Sequence, residues 1–301
     1  MQVINFINVC ISLSVKLKVC AINNNEKIKD MEEIFFELKD RVIVVTGGTG
    51  VVGSAISRYL AEHGARVVIL GGNAEDGESL VNEITIFGGN AIFLLTNNFN
   101  QELLEENLKD IISEYGTIDS LINIADNDIL KNEFEAEDSI LDINLDIFRK
   151  VVEANLTGTI LPIKVFLKKM IENGKGDIIN ISSITYFGRM TRVAGFSAAK
   201  AAINNITSFI AADLSAKFDN KIRVNCIEAG LFLTKENRNI YTNADGTLTE
   251  KGKALLGNTP FARFIEPEEI CGTIAYLLSQ DSKSITGAVV TVDDGFNMFS
   301  K

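Results

Sequence analysis

Short runs of β-branched and aliphatic residues recur along this chain, and amphipathic stretches fill most of the spaces between them. "RVIVVT" (41–46), "RVVIL" (66–70), "AIFLL" (91–95), "SLINIA" (120–125), "GDIINIS" (176–182), "KIRVNCI" (221–227) and "AVVTV" (288–292) read as strands by length and composition. Helical patterns run over 54–64, 74–87, 101–115, 146–173, 193–217 and 267–279, with a short one in "TEKGKALLG". A strand that is apolar at successive positions is covered on both faces, and a helix between two strands makes them parallel. The alternation therefore predicts an α/β domain over residues 31–301, a doubly wound parallel sheet of about seven strands with helices on both faces. Residues 126–145 and 230–265 are longer than connections need to be. In such sheets, long segments after strand C-termini are where ligands bind.

With 301 residues, 46% of them apolar and 23% charged, the chain can bury a core of that size. The net charge of −11 comes without any basic block, which argues against nucleic acid and anionic membrane as partners. Cys10, Cys20, Cys226 and Cys271 are scattered and form no CxxC pair, so they read as reduced structural thiols of a cytoplasmic protein. The lone histidine, His63, ends a helical pattern and reads as a residue near the last carbonyls. Ser-His-Asp chemistry and most metal chemistry drop out, and no metal ligands are expected. Residues 9–19 alternate with a strand period, but they are too short and too interrupted by Lys16 and Lys18 to span a bilayer. Residues 1–30 are expected to be a poorly ordered extension.

"VVTGGTGVVGSAI" (44–56) follows the first strand and opens the first helix. Glycines there let the backbone turn sharply and bring a helix N-terminus, with its free N–H groups, against a pyrophosphate. Thr46, Gly47 and Gly53 match T-G-x-x-x-G-x-G, although Val51 stands where a glycine is usual and Gly50 lies beside it. This motif, with Asn and Ser…Lys signals downstream, resembles the short-chain dehydrogenase/reductase family over about residues 37–300, and implies a Rossmann-like fold. "LTKENR" (233–238), "DGTLTEKGKALLGNTPFARFIEPEE" (245–269) and "FSAAKAAINN" (196–205) are similar to its D-mannonate oxidoreductase (fructuronate reductase) branch.

The resemblance implies a catalytic set of Asn155, Ser183, the position of Phe196, and Lys200. The family carries a tyrosine thirteen residues after the serine and four before the lysine, and its hydroxyl moves the proton at the substrate oxygen. Phe196 has no proton to give, which predicts impaired standard catalysis. A cofactor, NAD or NADP with no preference indicated and weak binding, would meet Thr46, Gly47, Thr49, Gly50, Gly53, Gly72, Asn97, Asn123, Ala125, Lys200, Gly230 and Thr234. Several of these loops depart from the family. Gly71 and Gly72 replace the residue that reads the adenosine ribose, Asn97 an acid beside the adenine, and Asp126 and Asp294 two glycines. For a sugar acid, Tyr186, Arg192, Asn237, Arg238 and Arg263 are the candidate contacts, since a carboxylate calls for a fork-shaped cation. By the same resemblance the long helices at 146–173 and 193–217 would build a homo-oligomer, a tetramer. Two readings stay open: an NAD(P)-dependent oxidoreductase acting on a CH–OH or keto group, and a catalytically silent paralogue serving as a ligand-sensing or oligomer-partner subunit.

Overall fold

All seven expected runs are strands in the computed structural model, which describes residues 38–124, 139–184, 194–218, 221–234, 237–257 and 259–299. They are β1 (Val42–Thr46), β2 (Arg66–Gly71), β3 (Asn90–Leu95), β4 (Ser120–Asn123), β5 (Lys175–Ser183), β6 (Lys221–Ala229) and β7 (Val289–Val292). Every neighbouring pair is parallel, and the order is β3-β2-β1-β4-β5-β6-β7. The chain thus starts mid-sheet, winds outward to β3, and then returns to build the other half from β4. That reversal opens a crevice at the C-terminal ends of β1 and β4. β1 is buried at all five positions, whereas the edge strands β3 and β7 keep partial exposure.

The helices are α1 (Val51–Glu62), α2 (Ala74–Ile86), α3 (Gln101–Tyr115), α4 (Leu145–Val152), α5 (Gly158–Asn173), α6 (Ala194–Lys217), α7 (Arg238–Tyr241), α8 (Glu250–Leu256), α9 (Cys271–Leu278) and α10 (Phe296–Phe299). Local chemistry sets several boundaries. Asn73 caps α2 by accepting from the backbone N–H groups of Glu75 and Asp76. Asn100 caps α3, which stops at Gly116 in the left-handed conformation. The stretch 146–173, expected as one helix, is two. A π turn over Glu153–Thr157 separates α4 from α5, and α9 is preceded by a 3₁₀ turn, Pro267–Ile270. Side chains compete with the ladder at the π turn: Asn155 Nδ2 donates to the Val151 carbonyl, and Thr159 Oγ1 to that of Asn155. The short α7 has no counterpart in the sequence reading. Leu38–Lys301 form one compact unit, while the expected extension, residues 1–30, lies outside the described residues.

One face of the sheet is graded along its length. Val42 and Val44 on β1, Leu121 on β4, Ile178 on β5, and Ile222 and Val224 on β6 pack with Leu104, Phe166, Met170 and Leu214 from the helices. Further along the same face stand Thr46, Asn123, Asn180, Ser182, Cys226 and Glu228, all buried. Alternation on a strand places them there. The face is therefore hydrocarbon at the N-terminal ends and polar at the C-terminal ends, where the crevice lies.

The opposite end of the sheet is held by charge. Asp177 on β5 receives Arg41 and Arg223, with side chains only 12–18% exposed. Arg41 also donates to Ser120 Oγ and the Leu278 carbonyl, and Arg223 to Ser282. Removing the shared negative charge would leave two guanidinium groups with neutral partners alone. Asp177→Asn is accordingly expected to cost roughly 2–4 kcal/mol, read as a lower urea midpoint at unchanged slope.

Candidate active site

The crevice floor is a row of polar side chains in register across four strands: Thr46 opposite Asn123, Asn123 opposite Asn180, and Asn180 opposite Cys226. Thr46 Oγ1 accepts the Ile124 N–H at 3.1 Å, which ties the glycine loop to the end of β4. Asn123 Nδ2 donates to Asn180 Oδ1 at 2.9 Å, and Asn180 Nδ2 to Thr207 Oγ1 on α6 at 2.9 Å. Ser182 Oγ donates to the Lys200 carbonyl at 3.0 Å. α6 is thus bolted to β5 at two levels one above the other, and that fixes where its first turns stand.

Those turns carry Phe196 and Lys200, both buried. Lys200 Nζ lies 5.1 Å from the centre of the Phe196 ring and donates to the Ile181 carbonyl at 3.4 Å. The ring face stabilises the ammonium electrostatically but offers it no oxygen. Ser183 is the last residue of β5, beside Ala229 of β6. Asn155 sits in the π turn, which packs against α6. It is 2% exposed, and its Oδ1 has no hydrogen-bond partner among the described residues. Serine, lysine, asparagine and the phenylalanine position therefore converge on one end of the sheet, around α6.

The glycine loop is shaped by contact. Gly47 has φ +61°, and a Cβ there would meet the Ile124 carbonyl oxygen at 2.4 Å. A Cβ on Gly53 would lie 2.1 Å from the Gly47 oxygen, so α1 could not pack as it does with any side chain at that position. Gly50 begins α1 with extended backbone and no capping side chain. Val51, the departure from the motif, is simply the first residue of α1. An uncapped N-terminus behind a glycine loop fits the pyrophosphate of a dinucleotide.

The adenosine side is barer. Gly71 is crowded, since a Cβ would approach Thr49 Cγ2 and Oγ1 at 2.8 Å, whereas at Gly72 the nearest atom would be 3.9 Å away. Asn97 is exposed and accepts the Phe99 N–H in its own turn, while Asn98 beside it has a buried Oδ1 without a partner among the described residues. Ala125, Asp126, Tyr186 and Arg192 lie outside the described residues.

Past β6, Gly230 is pressed between Ile265 and the backbone of Asp293. Thr234 donates its N–H to Asn237 Oδ1 at 2.8 Å, and Asn237 Nδ2 donates to the Phe232 carbonyl at 2.9 Å. The Asn237 amide thus shapes the loop before α7. Arg238 opens α7 and is exposed, with no side-chain partner among the described residues. Arg263 is occupied: it forks onto Glu269 at 2.6 and 2.9 Å and reaches Asp294 at 3.1 Å. Asp294 has φ +52°, a conformation that favours glycine. Burial pushes its carboxyl upward against the pull of Arg263. The glycine missing from this position is thus replaced by a strained aspartate held by a cation.

One participant of this layer, Glu228, carries no motif signal. Glu228 and Asn204 are hydrogen-bonded to each other beneath α6, and only the strand alternation of β6 could have pointed Glu228 inward. Among the described residues, no group of His, Cys, Asp or Glu is placed to hold a metal ion, and no helix is long and apolar enough to cross a membrane. Cys226 and Cys271 are buried free thiols.

A family model described as enoyl-(acyl carrier protein) reductase matches residues 49–297. The chain is 37% identical over 273 residues to an uncharacterized oxidoreductase, UxuB, of Bacillus subtilis, covering 87% of this chain and 97% of that one. Among solved structures it is similar to a candidate D-mannonate oxidoreductase from Haemophilus influenzae with bound NAD. That match has 33% identity and a TM-score of 0.79, over 88% of this chain and 98% of the other. A candidate gluconate dehydrogenase from Agrobacterium tumefaciens matches at 26% identity and a TM-score of 0.76, with 88% and 98% covered.

The unequal space at the two glycines after β2 makes a prediction. Gly72→Arg should fold like the native protein and strengthen NADPH binding by about tenfold over NADH, through a charge-assisted contact to the 2′-phosphate. Gly71→Arg should instead displace Thr49 and lower the melting temperature. Calorimetric titration of both variants with both dinucleotides checks this, and tight, NADPH-selective binding by the native protein would refute it.

Proposed function

The chain belongs to the short-chain dehydrogenase/reductase family, and from that footing we propose an oxidoreductase scaffold that binds NAD or NADP and a sugar acid of the fructuronate/mannonate kind, with proton transfer at the substrate oxygen impaired. The observation that carries this reading is the buried Phe196, one helical turn before Lys200 on α6. When bound, the dinucleotide would supply or accept the hydride. Thr46, Gly47, Thr49, Gly50 and Gly53 would form its pyrophosphate cradle, Gly72 and Asn97 its adenosine wall, and Lys200, Gly230 and Thr234 its nicotinamide end, with Asn123 in the floor beneath and Ala125 a further contact. Ser183 would donate a hydrogen bond to the substrate oxygen, and Asn155 Oδ1, buried and without a partner among the described residues, would hold a water in the proton path.

The sugar-acid class is supported by the two similar structures, described for mannonate and gluconate. Arg238, exposed and without a partner among the described residues, is the cation best suited to a substrate carboxylate, since Arg263 is engaged by Glu269 and Asp294. Leu145 on α4 and Phe209 on α6 are 52% and 61% exposed, which supports a homo-oligomer built on these helices, of which a tetramer is one form.

The second reading, a silent paralogue that senses ligand or partners an active subunit, is favoured by the same ring: Lys200 faces Phe196 where the family places a phenol. Restoring one oxygen separates the two. Phe196→Tyr hardly changes volume and should fold normally. Fructuronate reduction should then rise at least about a hundredfold, the lower end for a positioned general acid. A native protein that turns over robustly and is indifferent to Phe196→Tyr would overturn the impaired-acid reading. A variant that binds dinucleotide but stays inactive would support the silent one.

A further inference from the structure

The segment after β6, residues 230–265, is closed at its base. The Ile265 N–H donates to the Leu231 carbonyl at 2.9 Å, which joins its two ends, and the Gly230 N–H donates to the Val292 carbonyl at 2.8 Å, which ties the entry to β7. Within the segment the ring centres of Tyr241 and Phe264 lie 5.7 Å apart, and Thr249 Oγ1 donates to the Ile240 carbonyl at 2.7 Å. A loop of this kind, packed by its own side chains, is placed by whatever its base rests on.

That base rests on the turn after β7. A Cβ on Gly230 would meet Asp293 Cα at 2.9 Å, and one on Gly295 would meet Pro260 Cγ at 2.9 Å. Between them, Asp294 takes Arg263 at 3.1 Å. Three successive residues of the turn therefore lie against the segment. Asp293 folds the turn on itself by accepting the N–H groups of Gly295 and Asn297, both at 2.8 Å. Glu228 fixes it to the sheet. This side chain is 1% exposed, and its Oε2 accepts from Asn297 Nδ2 at 3.1 Å and from Thr291 Oγ1 at 3.0 Å. Its Oε1 accepts from Asn204 Nδ2 on α6 at 3.0 Å. A donor that loses a buried acceptor has no water to turn to, so each of these bonds restrains the element that supplies it. We infer that Glu228 is a positioning residue for the 230–265 segment: through Asn297 it anchors the 293–297 turn, and the turn sets where the segment stands at the crevice.

The functional consequence, a pocket of fixed shape for a sugar acid, rests on the reading proposed above, whereas the anchoring does not. Hydrogen exchange of the full chain, read at single amides by NMR, tests the anchoring. Asn297→Ala should speed exchange at the Ile265 and Gly295 amides by at least about fivefold, the effect of one lost hydrogen bond. The Gly48 amide, which donates to the Leu70 carbonyl in the glycine loop, should keep its native rate. Glu228→Leu should act in the same way, and if it does not fold, the partly exposed Asn297 still decides. Thr291→Val removes a different bond to Glu228 and should leave Ile265 unchanged. No acceleration at Ile265 in Asn297→Ala, or an equal one at Gly48, would overturn the proposal. Calorimetry then reads the consequence: Asn297→Ala should weaken D-mannonate binding by about fivefold. Unchanged affinity despite faster exchange would overturn the positioning role. A native protein that binds no D-mannonate would count against the sugar-acid reading alone, and the exchange rates would still decide the anchoring.

Discussion

Four strands arrive at the crevice in register, each with a polar side chain on the same face, and the rest of the site depends on how that row is satisfied. Thr46 takes a backbone N–H from beyond β4, Asn123 gives a hydrogen bond to Asn180, and Asn180 gives one to Thr207. Buried amides are expensive when unpaired and directional when paired. The row consequently specifies the height and rotation of α6 over the sheet, which apolar packing alone would leave loose. Phe196 and Lys200 inherit their positions from it. The glycine loop does too, because Gly47 must pass against Ile124 at a distance no side chain permits.

Much of the fold was legible because its signals are local. Buried parallel strands need runs of Val, Ile and Leu, and all seven runs read from the sequence are strands in the structure. The break at Glu153–Thr157 was not legible, since a π turn depends on Asn155 and Thr159 bonding backward within a helix whose composition stays ordinary. The places of motif residues at strand ends were readable, as with Ser183 at the end of β5 and Gly47 just after β1. It was less readable where long-range pairing matters. Asp294 reads in the sequence as a lost glycine and Arg263 as a candidate carboxylate contact, yet the two meet as an ion pair. Glu228 reads as an ordinary polar residue in a strand, and only tertiary structure surrounds it with Asn204, Thr291 and Asn297.

Binding and proton transfer draw on different parts of this site. The glycine loop is shaped by backbone contacts at Gly47, Gly50 and Gly53. On the proposed reading the proton path would be made of side chains, and it would be interrupted at Phe196. A chain of this kind can lose the second function and retain the first, because no atom of the Phe196 ring is needed to hold the glycine loop. Function lives in the site rather than in the fold, and here it divides within the site itself.

The charge cluster of Arg41, Asp177 and Arg223 lies at the other end of the strands from the crevice. Substitutions at well-separated places in a protein act on stability nearly independently. The sheet therefore has a keel and a deck. Ballast at one end keeps the molecule upright while fittings at the other are exchanged. Changes among the fittings, at Phe196 or Gly72 for instance, should leave the keel and its ballast undisturbed.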